Sequence, residues 1–267
     1  VTDQIDVIRP GVFVDTNALH YIRSYLDIAK QQHFLPYGDQ ILWPDINDQL
    51  RQIDLTKHQR EHLQKGFNAL EFLQQKAQEE SQIFVSLISL AEIVHGLVEG
   101  QAHFNMARAG MPYRMRQRSS DLSELISTWM RIADYEQVCA STEALLPELE
   151  RLLQIDIWRT GESRSVRDVF FLTEIILSNV YFDVIDAWLY AEALIEQVQQ
   201  LLTFDGYFRR TINRIYNPAG NVQDDEERAM WIRVQSSLKI ATASILMVPP
   251  EEENNITIPE AISFEKL

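Results

Sequence analysis

The stretch Val12-Phe13-Val14-Asp15-Thr16-Asn17-Ala18-Leu19 decides the fold. Three β-prone apolar residues run without a break into Asp-Thr-Asn, side chains suited to ending a strand and capping a helix. Leu19, Ile22, Leu26 and Ala29 then recur at helical spacing. An apolar strand without alternation is one buried on both faces, as in a parallel sheet covered by helices. The segment therefore predicts the opening strand–turn–helix unit of an α/β protein.

The same grammar recurs along the chain. Ile83-Phe84-Val85-Ser86 predicts a second strand, with Ser89 as the cap of a helix running to Glu99 and stopped by Gly100. Leu201-Leu202-Thr203-Phe204 predicts a third, followed by the turn Asp205-Gly206. Between them, Leu63, Phe67, Leu70, Leu73 and Ala77 form one stripe of an amphipathic helix over 57–80. Ser141 or Thr142 is expected to cap a helix carrying Leu145, Leu149, Leu152 and Leu153. Two apolar helices are expected at about 166–180 and 184–198, and a polar one near 223–238. Short strands are expected at 135–140 and 243–248, and an irregular loop around Pro36 and Trp43-Pro44. The expected architecture is a three-layer α/β/α fold with a central, mainly parallel sheet. It forms a single domain over 1–250, with helical insertions at about 27–80 and 101–180. The residues from Glu251 onward read as an acidic, flexible tail or an edge.

Composition narrows the function classes. With 39 acidic against 24 basic residues the formal charge is −15, a field that opposes broad nonspecific DNA binding unless a divalent cation or an arginine patch reverses it locally. Cys139 is the single cysteine, so neither an intramolecular disulfide nor a cysteine-based zinc or iron–sulfur site can form. A reducing, cytoplasmic setting is expected. Residues 1–10 carry no apolar leader core, and the apolar stretch 166–190 is broken by Asp168, Glu174, Asp183 and Asp186. A soluble protein without membrane partners is expected.

Ligands of parallel sheets bind outside the carboxyl ends of the strands. Asp15 and Asp205 each lie just past a predicted strand, Glu92 lies in the first turn or so after the second, and Asp186 opens the apolar run Ala187-Trp188-Leu189-Tyr190-Ala191. Four carboxylates at one edge repel one another unless a cation intervenes, and an all-oxygen donor set suits Mg²⁺ or Mn²⁺. Taken singly, each acid reads equally as a helix cap or a solvated surface charge.

Four segments together resemble the PIN-domain nucleases. They are 12–17 with the Asp-Thr-Asn turn, 85–96 with Glu92, Asp186-Ala187-Trp188-Leu189-Tyr190-Ala191-Glu192-Ala193, and Leu201-Leu202-Thr203-Phe204-Asp205. The resemblance implies a Mg²⁺- or Mn²⁺-dependent ribonuclease, often the toxin half of a toxin–antitoxin pair. Asp15, Glu92, Asp186 and Asp205 would be its catalytic and metal-holding residues, hydrolysing RNA phosphodiesters. Thr16, Asn17, Ser89, Thr203 and Asp183 would orient these acids or a phosphate oxygen. RNA is the expected substrate; an antitoxin, another protein partner or a homodimer is compatible with this reading. The long stretches 27–80 and 101–180 depart from compact members of the family.

Two other readings stand beside it. A haloacid dehalogenase-type phosphohydrolase also starts at a strand-end aspartate, but its chemistry needs a second carboxylate where this chain has Asn17. A non-catalytic PIN-like protein- or RNA-binding module would show an exposed apolar face on helix 57–80. Arg114, Arg116 and Arg118, interleaved with Tyr113 and Met115, could track a phosphate backbone or form a solvated face, as could Arg209 and Arg210. His58 and His62 stand four apart on the same helix, but no His-Glu-x-x-His pattern frames them, and they read as a solvent-facing pair. His20, five residues after Asp15, could approach a substrate.

Overall fold

The computed structural model describes residues 10–32, 48, 52–112, 128–160 and 166–264. The expected loop around Pro36 and Trp43, and the basic run Arg114, Arg116 and Arg118, lie outside them. The elements in chain order are β1 (Gly11–Val14), α1 (Thr16–Gln31), α2 (Lys57–Gln78), β2 (Gln82–Ser86), α3 (Leu87–Arg108), α4 (Ile132–Glu143) and α5 (Leu145–Leu153). They continue with β3 (Ile157–Thr160), α6 (Val166–Asn179), α7 (Val184–Ile195), β4 (Gln200–Leu202), α8 (Gly206–Tyr216), α9 (Pro218–Asn221), α10 (Asp225–Leu246) and β5 (Glu260–Ile262).

The five strands form one sheet in the order β3-β2-β1-β4-β5, every pair parallel. Val14 stands opposite Val85 on one side and Leu202 on the other, so the carboxyl ends of β1, β2 and β4 are level. Alternation along β1 divides the core. Val12 and Val14 pack with α1, α2 and α5 on one face, whereas Phe13, Phe84 and Leu201 pack with α6, α7, α8 and α10 on the other. This is the three-layer α/β/α fold that the sequence predicts. The chain leaves β1 toward one layer and β4 toward the other, which opens a crevice between the ends of these two neighbours, where ligands of such sheets bind.

Several boundaries differ from the sequence expectation. Residues 135–140 and 243–246 are helical: the apolar residues expected to form a last strand are the end of α10, closed by Met247 in the left-handed region at φ 55°. Ser86 caps α3, accepting from the Ile88 amide, so Ser89 lies inside the first turn rather than at its cap. The stretch 101–180 is not purely helical, because it supplies the edge strand β3. The expected acidic tail is tied down in part: β5 pairs with β4, and Ile256, Ile258 and Ala261 are buried. Three apolar residues suffice there because β5 needs only one strand partner and the α8 side chain Asn213, whose Oδ1 accepts from the Ala261 amide at 3.1 Å.

The contact between α1, which lines the site described below, and α2 depends on Gly66. A Cβ there would stand 2.4 Å from the Tyr21 carbonyl oxygen and 2.7 Å from Tyr25 Cβ. Gly66→Ala gains helix propensity of about 1 kcal/mol, yet the overpacking outweighs it. A net loss on the order of 1–3 kcal/mol is expected in denaturant unfolding; a stabilised variant would refute this packing.

Candidate active site

Asp15 is the N-cap of α1 just past β1, and the end of β4 holds its backbone, since its amide donates to the Leu202 carbonyl at 3.1 Å. Its side chain is 3% exposed. One oxygen accepts from the Thr16 amide at 2.6 Å and the other from Thr203 Oγ1 at 2.6 Å. Thr203, fully buried just past β4, is the hub of this edge. While its hydroxyl donates to Asp15, its oxygen accepts from the Asp205 amide at 3.0 Å and from Asn17 Nδ2 at 3.4 Å. Asn17 Oδ1 in turn accepts from the Phe204 amide at 2.7 Å. The turn after β1 and the turn after β4 are thus sewn together by side chains of the first turn of α1.

Glu92 projects from α3, where Thr16 Oγ1 donates to its Oε2 at 2.5 Å. Asp186 is half-buried in the first turn of α7, and its amide donates to Oδ1 of the cap Asp183 at 2.8 Å. Asp15, Glu92 and Asp186 line one cavity of about 290 Å³, together with Thr16, Asn17, His20, Tyr21, Ile93 and Gly96. Asp205 does not line it among the described residues. It is exposed and caps α8, accepting from the Phe208 amide at 2.7 Å, but its charge still reaches the other acids.

Burial pushes the Asp15 carboxyl up to about 7 against the lowering effect of its hydrogen bonds, with Glu92 and Asp205 adding repulsion. Asp186 is pushed up to about 8, first by burial and then by Asp183, Asp15, Asp205 and Glu92. Every charged neighbour acting on these two groups is an acid. Such a cluster holds protons at neutral pH or a cation in their place. Among the described residues, no three His, Cys, Asp or Glu side chains stand close enough together to hold a metal ion as they are placed. The acids are instead satisfied locally, Asp15 by two donors and Asp205 by its helix end. The donor set, all oxygen and without a compensating base, fits a hard divalent ion.

Asp15, Glu92 and Asp186, with Thr16 and Asn17, are therefore gathered as the sequence reading places them, and Thr203 is tied to them through Asp15. Asp205 is adjacent. Asp183 serves as a cap, and Ser89 is buried in α3 with its hydroxyl unpartnered among the described residues. Arg209 and Arg210 follow Asp205 in the first turns of α8. The sequence reading missed the packing of His62: its ring meets Tyr21 edge-on, with centroids 4.9 Å apart. Helical spacing marks His58 and His62 as neighbours, but nothing local shows that α2 packs across α1.

Thr203→Val keeps the shape but removes the hydroxyl that serves Asp15, the Asp205 amide and Asn17. A loss on the order of 1–3 kcal/mol is expected in chemical unfolding, whereas Thr203→Ser should stay close to the parent protein. Equal stability of the Val and Ser variants would dismiss the hub. No family model, curated protein or solved structure matches the chain.

Proposed function

We propose that this chain is a Mg²⁺- or Mn²⁺-dependent hydrolase of RNA phosphodiester bonds, with Asp15, Glu92 and Asp186 as its core acids and Asp205 beside them. The observation that carries the reading is one cavity at the carboxyl end of a parallel sheet, lined by three acids and acted on by no compensating base. The resemblance of the four acidic segments to PIN-domain nucleases supports the same chemistry. When bound, a divalent ion lowers the pKa of a water and offsets charge growing on the phosphoryl group.

The chain's own groups do the rest. Asp15, Glu92 and Asp186 would hold the ion. Thr203 and the Thr16 amide fix both Asp15 oxygens, and the Thr16 hydroxyl fixes Glu92, so the acids are held in place before substrate arrives. Arg209 and Arg210 lie close enough in sequence to Asp205 to meet the flanking backbone. A toxin role with an antitoxin partner belongs to the same proposal, as do a homodimer and a cytoplasmic location. No described helix is long and apolar enough to cross a membrane.

The test is incubation of the chain with single-stranded and structured RNA in Mn²⁺, Mg²⁺ or chelator, reading cleavage and product ends. Metal-dependent cleavage is expected, and its absence on every RNA would reject the hydrolase. The alternative of a non-catalytic binding module called for an apolar face on α2. The buried positions there, Leu63, Phe67, Leu70 and Leu73, face the core, and none of the exposed large apolar residues lies on that helix.

A further inference from the structure

The cavity lining combines two chemistries. Asp15, Glu92 and Asp186 supply carboxylates, and His20 and Tyr21, one turn along α1 from Thr16 and Asn17, supply aromatic rings. Behind these two rings lies a continuous aromatic array. Tyr21 is edge-on to Phe204 at 5.2 Å and to His62 at 4.9 Å, His62 is 6.4 Å from His20, and His58 is 4.1 Å from His62. Lys65 Nζ lies 4.7 Å from the Tyr21 ring centre and donates to the Tyr21 hydroxyl at 3.3 Å. Tyr21 is therefore braced by neighbours from α2 and from the turn after β4 while it still borders the cavity.

A ligand that meets both must combine a group compatible with carboxylates and a cation with a flat, uncharged surface for the rings. A nucleotide unit does so, its phosphate toward the acids and its base toward the rings. The volume of about 290 Å³ is at the lower end of ligand sites and suits one such unit rather than a duplex. Burial and the nearby Arg23 lower the His20 pKa, and burial with His58, His20 and Lys65 lowers that of His62, so both rings favour the neutral state suited to a base rather than a phosphate.

We propose that His20 and Tyr21 form a stacking subsite for one unpaired nucleobase beside the phosphate engaged by the acids, with His62 as the positioning residue that holds their ring planes. This rests on the phosphodiester reading above. Stacking of a base on an aromatic side chain changes affinity by roughly 10–100-fold.

The test uses the full chain in Mn²⁺ and single-stranded RNA oligonucleotides carrying one 2-aminopurine, moved position by position, because stacking quenches its emission. Quenching at one position is expected. It should be weakened in His20→Ala, restored in His20→Phe and weakened in His62→Ala, with affinity falling up to roughly 10–100-fold in His20→Ala. Replacing that one base by an abasic unit should weaken the parent more than it weakens His20→Ala. Circular dichroism and the unfolding midpoint establish that the variants are folded. Quenching unchanged in His20→Ala, quenching equal on a fully paired duplex, or no quenching at any position would each overturn the subsite. Cleavage assayed in parallel separates the two claims: cleavage without quenching leaves the hydrolase standing and removes the subsite, whereas quenching without cleavage does the reverse.

Discussion

Asp15→Asn and Asp186→Asn are each expected to reduce metal-dependent RNA cleavage on the order of 10³-fold or more, while the fold is kept. The size follows from several kcal/mol of charge stabilisation supplied through the bound ion, at about 1.4 kcal/mol per tenfold in rate. An amide retains the shape and can still accept from the Thr16 amide at position 15, but it contributes no negative charge. The accompanying stability change has the opposite direction. Both carboxyls are penalised for ionising, so at pH 8 in chelator Asp186→Asn should unfold at the same temperature as the parent or higher, whereas at position 15 the gain is opposed by loss of the bond from the Thr203 hydroxyl. Gain of stability together with loss of activity distinguishes a functional acid from a structural one. A purified double variant that cleaves at the parental rate, free of contaminating nuclease, would remove both residues from the mechanism.

The second large effect is the response of stability to pH and metal. A carboxyl whose pKa is raised by folding binds more protons in the native than in the unfolded chain, so stability falls as pH rises. For Asp15 and Asp186 the window runs from about 4, where the unfolded acids ionise, up to about 7 and 8. In chelator, the unfolding midpoint should therefore decline between pH 5 and pH 8, by an amount on the order of a few kcal/mol in total. The decline should flatten in the double Asn variant. Metal competes with these protons, so Mn²⁺ should raise the midpoint more at pH 8 than at pH 5. At a hundredfold excess over the dissociation constant the gain is about 2.7 kcal/mol, or roughly 5–10 °C for a chain of this size. A midpoint indifferent to Mn²⁺ at pH 8 would favour a binding module whose acids hold no ion.

The sheet centre was legible for a physical reason. β1, β2 and β4 are buried on both faces and read as unbroken apolar runs that end in turn residues. The edges were not. β3 has the sequence Ile157-Trp158-Arg159-Thr160 with its middle two residues exposed, and β5 is three residues long, so neither carries a continuous apolar signal. The opposite error occurred at 243–248, where the apolar run from Ile245 at the end of α10 imitates a strand.

The acids at strand ends were legible because strand direction fixes where the carboxyl edge lies, and Asp186 lies in the first turn of α7 as expected, whereas Glu92, expected in the first turn or so, is the sixth residue of α3 because that helix starts at Leu87. Asp205 was placed at the right edge, but sequence could not show that capping α8 would engage its side chain. Two features depend on contacts between distant segments. Thr203 reaches Asp15 only because β1 and β4 are neighbours in the sheet, and His62 reaches Tyr21 only because α2 packs on α1.

The central claim is that Asp15, Glu92 and Asp186 act on one divalent ion, and Mn²⁺ titration followed by electron paramagnetic resonance tests it most directly. The parent chain is predicted to bind Mn²⁺ with release of protons at pH 7, and Asp15→Asn, Glu92→Gln and Asp186→Asn each to weaken that binding at least about tenfold. Binding of equal strength in the parent and all three variants, or no binding by the parent, would contradict it.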